Sequence, residues 1–270
     1  MPHRIYLEFA KQLAKNTGDM VKEKINSNFE IKVKDSDIDF VTEVDQTAER
    51  MIRSNIIDEF PQHNILGEEG ASNNTNQLEE MLNAIEKEEP VWIIDPIDGT
   101  LNFIHSLPGY TVSIALVYNK QIALGVVYDP TSNDLFYASK GNGAFVNGKR
   151  MNVSTSETLN KSLIATGLPN KSIIERKIAI KNIANLGDKC LEIRAFGSAA
   201  LHLAYVAHGR LDGYWESDLS IWDIAAGILL VQESGGKVTD TRGNNYDFTK
   251  SQILATNGFI HQDLLNNLVT

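Results

Sequence analysis

Two stretches near the start of the chain carry apolar side chains at helical spacing. They predict helices over residues 4–25 and 45–60, and Pro61 ends the second. A more polar segment, 76–89, has the pattern of a charged surface helix that ends before Pro90. The first third of the chain is therefore expected to be mainly helical.

Short apolar runs rich in β-branched and aromatic residues then follow one another closely. They predict strands over 91–95, 110–118, 121–129 and 134–140. Asn119-Lys120 separates the second and third strands and predicts a tight hairpin. The glycine-rich stretch 141–154 predicts turns and a further strand.

The second half of the chain alternates between the two periodicities. The predicted elements are a strand at 162–166, a helix at about 172–186, a strand at 191–196, a helix at 198–208, a strand at 211–216, a helix at 221–234, and short strands up to Thr256. Mixed strands followed by alternation indicate a layered α/β or α+β fold. Because no linker separates two units, we expect one domain over 1–270 with a soft division near residue 145.

Composition narrows the class of protein. The formal net charge of the 270 residues is −10 and no basic patch is evident, which argues against a nucleic-acid partner. The charge has two readings: solubility, or carboxylates that serve metal cations. The longest apolar run, 225–231, is too short to cross a bilayer, and the N-terminal segment lacks a signal core. A single cysteine, Cys190, fits a reducing cytoplasm.

The most informative stretch is "VWIIDPIDGTLNF", residues 91–103. It places two carboxylates, Asp95 and Asp98, at the end of a buried strand. Both cannot stay ionised there without a large cost in free energy unless a cation lies nearby. Divalent cations such as Mg²⁺ prefer carboxylate oxygens and water. Gly99 and Thr100 follow, and their backbone N–H groups could bind an anion at the start of a helical turn.

Three further acidic segments have ordinary structural explanations when each is taken alone. "LGEEG" at 66–70 reads as a polar turn, and on an extended chain only one of Glu68 and Glu69 could face a site. Asp45 and Asp223 each stand three residues after a Thr or Ser that predicts a helix N-cap, so capping accounts for both. A carboxylate in the first turn of a helix can also point at a ligand, and both interpretations stay open.

Other catalytic chemistries lack their motifs. The chain contains no His-Glu-x-x-His, Cys-x-x-Cys, Gly-x-Ser-x-Gly or Walker sequence.

Taken together, the motifs resemble those of the inositol monophosphatase family, the Mg²⁺-dependent, lithium-sensitive phosphatases that include fructose-1,6-bisphosphatases. They run through nearly the whole chain in the family's order: "DFVTEVD", "LGEEG", "WIIDPIDGTLNFIHSLP", "GVVYDP", "KGNGAFVNG", "RAFGSAAL", "YWES", "WDIAAG", "GGKVTD" and "ILATNG". The resemblance implies a layered αβαβα sandwich and a cytoplasmic homodimer that hydrolyses a small phosphorylated metabolite without nucleic-acid or membrane partners. Inositol monophosphate is the expected substrate. The alternatives are fructose-1,6-bisphosphate, NADP, adenosine 3′,5′-bisphosphate, or a regulatory role on the same scaffold.

The resemblance also assigns roles to individual residues. Two Mg²⁺ ions, with a third, weaker one near Glu68, would be held by Glu68, Asp95, the carbonyl of Ile97, Asp98 and Asp223. The catalytic residues would be Thr100, Asp45 and Glu68, with Thr100 and Asp45 orienting or helping to deprotonate the attacking water. Substrate contacts would come from Asp98, Gly99, Thr100, Ser198, Ala199 and Glu216.

Three features depart from the family pattern or match nothing in it. Ser220 stands where some relatives that prefer inositol phosphates have histidine, and Ser198 where some have threonine. The segment "GLPNKSIIERK", 167–177, lies in the region expected to shape the substrate pocket and matches no family motif. These features leave the substrate open and do not affect the expected metal ligands. Lys34 matches a family lysine near a metal loop that includes Asp35 and Asp37.

Overall fold

A computed structural model describes residues 2–25, 27, 29–33, 40–73, 76–247 and 250–269. Lys34, Asp35 and Asp37 therefore lie outside the described residues. The helices are α1 (Pro2–Lys24), α2 (Glu43–Glu59), α3 (Glu68–Asn73), α4 (Gln77–Glu86), α5 (Thr100–Ile104), α6 (Ile173–Leu186), α7 (Ala199–Ala207), α8 (Ile221–Glu233) and α9 (His261–Asn267).

The strands are β1 (Ile31–Val33), β2 (Phe40–Thr42), β3 (Asn64–Gly67), β4 (Val91–Asp98), β5 (Thr111–Tyr118), β6 (Gln121–Asp129), β7 (Asp134–Ser139), β8 (Ala144–Val146), β9 (Lys149–Arg150), β10 (Leu163–Thr166), β11 (Glu192–Arg194), β12 (Gly213–Glu216), β13 (Lys237–Thr239) and β14 (Ile253–Thr256).

The larger sheet runs in chain order from β3 to β9. Helices α1 and α2 cover one of its faces because their apolar stripes, including Leu13 and Ile52, pack against alternate residues of β4 such as Trp92 and Ile94. The other residues of β4, including Ile93, face the opposite side of the sheet. A strand buried on both faces explains why residues 91–98 read as a nearly continuous apolar run.

Helices α7 and α8 form the middle layer and pack against each other between the two sheets. The second sheet has the order β11-β10-β12-β14-β13, and α6 and α9 cover its outer face through a cluster that includes Leu186, Trp215 and Leu264. The predicted αβαβα sandwich is therefore confirmed. The largest core cluster combines residues from both halves of the chain, from Leu66 to Ala255.

Most predicted elements are present, with local differences. The hairpin is confirmed, because Tyr118 pairs with Gln121 and both turn residues have positive φ. The strand predicted at 91–95 continues to Asp98. The short elements β1, β2 and α9 were not predicted; three or four residues are too few for a periodic signal, and α9 follows directly on a turn.

The extended geometry assumed for Glu68 and Glu69 was wrong, because both residues open α3 directly after β3. Within the part of the chain that the structure describes, no helix is long and apolar enough to cross a membrane.

Candidate active site

Glu68 and Asp95 meet because β3 and β4 are parallel neighbours. The register pairs Gly67 with Ile94, so the next residue of each strand, Glu68 or Asp95, emerges at the same edge of the sheet. Asp95 also continues the face of β4 that includes Ile93 and packs toward α7 and α8.

A bulge in β4 sets the relative direction of its two aspartates. Asp95 pairs with Ser113 and Asp98 with Thr111, so three steps on β4 oppose two on β5. In a regular strand, residues three apart point to opposite faces, and one extra residue cancels that difference. The Pro96-Ile97 link therefore lets both carboxylates serve one site.

The N-terminus of α7 holds Asp98 in place. The Ser198 hydroxyl and the Ala200 amide each donate to Asp98 Oδ2 at 2.6 Å. Ser198 is also the N-cap of α7, since its hydroxyl accepts from the Leu201 amide at 3.1 Å. One serine thus fixes both the start of the helix and the orientation of the carboxylate.

Asp223 and Asp45 have the capping geometry that their sequence positions predicted. The Ser220 amide donates to Asp223 Oδ2 at 2.7 Å, and the Thr42 amide donates to Asp45 Oδ2 at 2.8 Å. Capping leaves both residues able to take part in a functional site. Asp223 lines a pocket that is described below, and Asp45 Oδ1 accepts a hydrogen bond from the Thr100 hydroxyl at 3.2 Å. The two interpretations left open by the sequence are compatible for both aspartates.

Thr100 stands at the start of α5, next to a glycine that the backbone requires. Gly99 has φ +95°, and a Cβ there would lie 2.7 Å from the Gly109 carbonyl oxygen. The Thr100 hydroxyl also lies 3.0 Å from the carbonyl oxygen of Ile97. The tight turn at Gly99 therefore places the Thr100 hydroxyl between the Asp45 carboxylate and the Ile97 carbonyl, which the family resemblance predicts to bind metal.

These residues surround a pocket of about 440 Å³. The predicted site residues that line it are Glu68, Asp95, Ile97, Asp98, Gly99, Thr100, Ala199, Glu216 and Asp223. Asp45 and Ser198 lie behind the lining, where they bond Thr100 and Asp98. The structure thus brings together every predicted site residue.

Glu216 lines the same pocket from the second sheet, as the last residue of β12. The Tyr214 hydroxyl donates to its Oε2 at 2.7 Å, and a Cβ on Gly167 would lie only 2.2 Å from its carboxylate. Burial raises the pKa of Glu216 to about 7, the Tyr214 bond opposes that change, and the charge of Asp98 adds to it.

The charge and the oxygen donors of these carboxylates are of the kind that a hard divalent cation binds. Burial raises the pKa of Asp98 to about 6, the bonds from Ser198 and Ala200 counteract it, and the charge of Glu68 raises it further. Burial, Asp98 and Glu68 likewise raise the pKa of Asp223 well above its usual range. Bound cations would offset the free-energy cost of burying these charged carboxylates and the repulsion between them. An all-oxygen donor set suits Mg²⁺ or Mn²⁺.

The carboxylates line one pocket but do not form a preformed metal-coordination site. Among the described residues, no group of three or more His, Cys, Asp or Glu side chains is already arranged to hold a metal ion. Each of Asp95, Asp98 and Asp223 accepts a hydrogen bond from a backbone N–H group through one carboxylate oxygen.

The pocket also contains residues that the sequence did not single out. Asn102 donates through Nδ2 to the carbonyls of Gly109 and Phe196, at 2.7 and 2.6 Å, and so joins the two loops that flank Gly99. Lys171 and Arg176 come from the unassigned segment 167–177. The only available signal for Asn102 was a polar residue inside the apolar run "LNFI".

Comparison with known proteins gives one consistent result. A model of the inositol monophosphatase family matches residues 4–270. Nus factor SuhB of Escherichia coli (strain K12) is 41% identical over 266 residues, which cover 97% of this chain and 95% of that protein. The fructose-1,6-bisphosphatase/inositol-1-monophosphatase of Thermotoga maritima is 37% identical over 259 residues, with coverage of 96% and 94%.

Solved structures agree with the sequence matches. The crystal structure of the extragenic suppressor protein suhB from Bartonella henselae superimposes with a TM-score of 0.87 at 35% identity, covering 97% of this chain and 98% of that one. The chain therefore belongs to the inositol monophosphatase family of metal-dependent phosphatases.

Proposed function

We propose that this protein is a Mg²⁺-dependent phosphomonoesterase that hydrolyses inositol monophosphate to inositol and phosphate by direct attack of water. The observation that carries the proposal is the convergence of Glu68, Asp95, Asp98 and Asp223 on one pocket, beside the Thr100–Asp45 pair. No other chemistry is required from the protein, because positioning and charge neutralisation dominate phosphoryl transfer.

The cations would be held by Glu68, Asp95, Asp98, Asp223 and the carbonyl of Ile97. When bound, a pair of Mg²⁺ ions would lower the pKa of the attacking water and neutralise charge on the phosphate and the departing alcohol oxygen. Burial, together with repulsion between Asp98, Glu68 and Asp223, raises the pKa of both Asp98 and Asp223 in the protein alone, which is consistent with this assignment. A third ion near Glu68 is part of the same proposal.

Thr100 and Asp45 would orient the attacking water and receive its proton. The Thr100 hydroxyl can accept a hydrogen bond from water while it donates to Asp45 Oδ1 at 3.2 Å. Asp45 is 1% exposed, and the Thr42 amide holds its other oxygen, so its direction is fixed. A proton can thus move from water to Thr100 as the Thr100 proton moves to Asp45.

The remaining residues would bind the substrate. The backbone N–H groups of Gly99 and Thr100 would contact the phosphate, and Asp98, Ser198, Ala199 and Glu216 the alcohol portion. A Glu216 carboxyl group with a pKa of about 7 can donate to or accept from a sugar hydroxyl near neutral pH. We place the protein in the cytoplasm, in keeping with its single, buried, unpaired cysteine, Cys190.

Phosphate release from a panel of phosphorylated metabolites tests the proposal. The panel contains inositol 1-phosphate, fructose 1,6-bisphosphate, NADP and adenosine 3′,5′-bisphosphate, each with Mg²⁺, with EDTA, and with Mg²⁺ plus millimolar lithium. We expect Mg²⁺-dependent, lithium-inhibited release that is fastest with inositol 1-phosphate. Release from a different ester would keep the reaction and change the substrate. Absence of release from every compound would favour a regulatory protein on this scaffold.

A further inference from the structure

Helix α3 presents Glu68 to the pocket, and it is too short to hold that position by itself. It has six residues, whereas an isolated helix needs about 12–15 residues to be even marginally stable in water. Because Glu68 is its first residue, the backbone N–H groups of its first turn have no acceptor within the helix. The preceding residue, Gly67, has no side-chain oxygen that could cap them. The start of α3 therefore needs an acceptor from elsewhere in the molecule.

Glu49 of α2 supplies that acceptor. Its Oε2 accepts from the Glu69 amide at 2.8 Å, and its Oε1 accepts from the Gly70 amide at 2.9 Å. A carboxylate suits this place, because the N-terminus of a helix carries a partial positive charge. Glu49 is 3% exposed, so an amide that lost its partner here would be costly. A side chain from another helix thus acts as the N-cap of α3.

Two contacts fix the Glu49 carboxylate in turn. Arg53, one turn later on α2, donates from Nε to Glu49 Oε1 at 2.7 Å. On the other side, a Cβ added at Gly67 would lie 2.6 Å from that carboxylate, so a larger residue would push Glu49 away from α3. The glycine before Glu68 therefore makes room for Glu49.

The same helix also positions the proposed proton acceptor. Asp45 lies four residues before Glu49, so the two carboxylates are neighbours on one face of α2. Asp45 Oδ1 accepts from the Thr100 hydroxyl, while Glu49 holds the helix that begins with Glu68. Helix α2 thus links the Thr100 side of the pocket to the Glu68 side.

We propose that Glu49, supported by Arg53, is a positioning residue that holds Glu68 in place for cation binding. The inference rests on the proposed function, because that proposal assigns Glu68 to the cations. Residues that orient the ligands of a metal commonly contribute about 10- to 100-fold to metal affinity or activity without touching the metal. Glu49 would act in this way through the backbone of α3.

The Glu49→Gln variant tests this role with little change in side-chain size. Glutamine replaces one of the two acceptor oxygens by an NH₂ group, which would face the N–H group of Glu69 or Gly70. Calorimetric titration of the substrate-free protein with Mg²⁺ should show a Kd that is about tenfold higher than in the native protein. At saturating Mg²⁺, kcat should stay close to the native value, because Thr100 and Asp45 are unchanged.

Glu233→Gln is the matched control. The Glu233 carboxylate also accepts from two backbone amides, those of Gly141 and Gly143, at 2.8 and 2.7 Å, but it does not line the pocket. Its substitution should lower the free energy of unfolding and leave the Kd for Mg²⁺ unchanged. A general loss of stability would therefore not reproduce the effect expected for Glu49→Gln.

A double-mutant cycle with Glu68→Gln shows whether Glu49 acts through Glu68. If it does, adding Glu49→Gln to Glu68→Gln should change the Kd for Mg²⁺ by less than about twofold. Arg53→Met gives a second test that leaves the Glu49 carboxylate and both of its amide bonds in place. It removes only the cationic partner, so its Kd for Mg²⁺ should rise less than that of Glu49→Gln but remain above the native value.

The outcomes separate this inference from the proposed function. A native Kd in both Glu49→Gln and Arg53→Met, or effects of Glu49→Gln and Glu68→Gln that simply add, would overturn the positioning role and leave the phosphatase intact. A native protein that does not bind Mg²⁺, or a native Kd in Glu68→Gln, would overturn the cation site and the inference with it. A tenfold rise that disappears in the Glu68→Gln background, with kcat retained, would establish the role.

Discussion

Asp95 is the residue on which the proposed chemistry depends most. It is 1% exposed, follows four apolar residues of a strand buried on both faces, and lies on the face of β4 that packs toward α7 and α8. A carboxylate in such a place is unfavourable unless it is hydrogen-bonded or paired with a charge, and the Ile97 amide donates to Asp95 Oδ1 at 3.0 Å. We propose that Asp95 would be one of the ligands of the bound cations, with the Ile97 amide holding its carboxylate in place.

Asp95→Asn should abolish phosphate release while the protein stays folded. The amide keeps the size of the side chain but lacks the negative charge that would hold a cation, and burying a neutral group costs less than burying a charge. Circular dichroism, thermal unfolding and phosphate release measure the effects. Asp188→Asn, at an exposed position outside the pocket, is the control. Turnover close to the native rate in Asp95→Asn would refute its role as a cation ligand.

Thr100→Ala should lower kcat by about 10² to 10⁴, the usual contribution of a positioned proton-transfer group, with little change in Mg²⁺ affinity. The reason is that its hydroxyl links the attacking water to Asp45 and is not itself assigned as a metal ligand. Thr100→Ser keeps the hydroxyl and should retain most of the rate. Mg²⁺ titration by calorimetry and steady-state kinetics give the two quantities. Equal losses of rate and Mg²⁺ affinity would contradict the role.

At the scale of elements, the site depends on loops that are held at several ends. The Gly99 turn packs against the Gly109 and Gly197 carbonyls, and Asn102 bonds the neighbouring carbonyls of Gly109 and Phe196. The loop before α7 then delivers Ser198 to Asp98. Asn102 is therefore a positioning residue that joins α5 to the loops before β5 and α7.

Asn102→Ala should destabilise the protein by about 1–3 kcal/mol, because two partly buried carbonyls lose their donor. It should also raise KM more than it lowers kcat, since the loops that bind substrate move while Thr100 and Asp45 remain. Asn142→Ala is the matched control: this asparagine also makes two bonds, to Ser139 and Lys140, but in a turn remote from the pocket. Identical kinetics for Asn102→Ala and the native protein would show that the link is dispensable.

At the scale of the whole molecule, the acidic pocket should make stability depend on pH and on metal. Burial raises the pKa of Glu216 from its usual 4.5 to about 7 and that of Asp98 to about 6. A raised pKa means that the folded state keeps a proton that the unfolded state has released, so stability falls as pH rises from about 4.5 to about 7. Cations that bind the deprotonated cluster should reverse this trend.

In EDTA, the free energy of unfolding should decrease between about pH 4.5 and about pH 7, with Glu216 contributing at most about 3 kcal/mol. Glu216→Gln stays neutral and accepts the same Tyr214 bond, so it should flatten the decrease, whereas the exposed Glu157→Gln should not. Mg²⁺ should stabilise more at pH 7 than at pH 5, because protons compete with it. Chemical denaturation across pH measures both effects, and stability that rises with pH in EDTA would contradict them.

The expected homodimer also belongs to this scale. Helix α6 and the segment before the edge strand β11 expose Ile173, Ile174, Ile180 and Leu191, with exposed fractions of 67%, 67%, 52% and 67%. We predict a dimer that buries this surface. Light scattering should give twice the chain mass for the native protein and a shift toward monomer for Ile174→Lys. Ile5→Lys, at another exposed isoleucine, should not shift it. A monomeric native protein would contradict the prediction.

The sequence by itself determined most element types, a layered fold of mixed helices and strands, and the acidic character of the site. Periodicity, caps and turn residues depend on neighbours within about four positions, so the chain carries that information locally. The Thr42–Asp45 cap and the Asn119-Lys120 hairpin were predicted on this basis and are present. The motif resemblance added the ligand set as a hypothesis, and capping alone could not distinguish a structural aspartate from a functional one.

Only the tertiary structure decided which of these groups meet. The Asp98–Ala200 hydrogen bond spans 102 residues, and a parallel strand register aligns Glu68 with Asp95. The helix after β3, the bulge in β4 and the approach of Lys171 to Ser220 likewise depend on packing between distant segments, because strand register and loop contacts are fixed by the folded core and no local pattern encodes them.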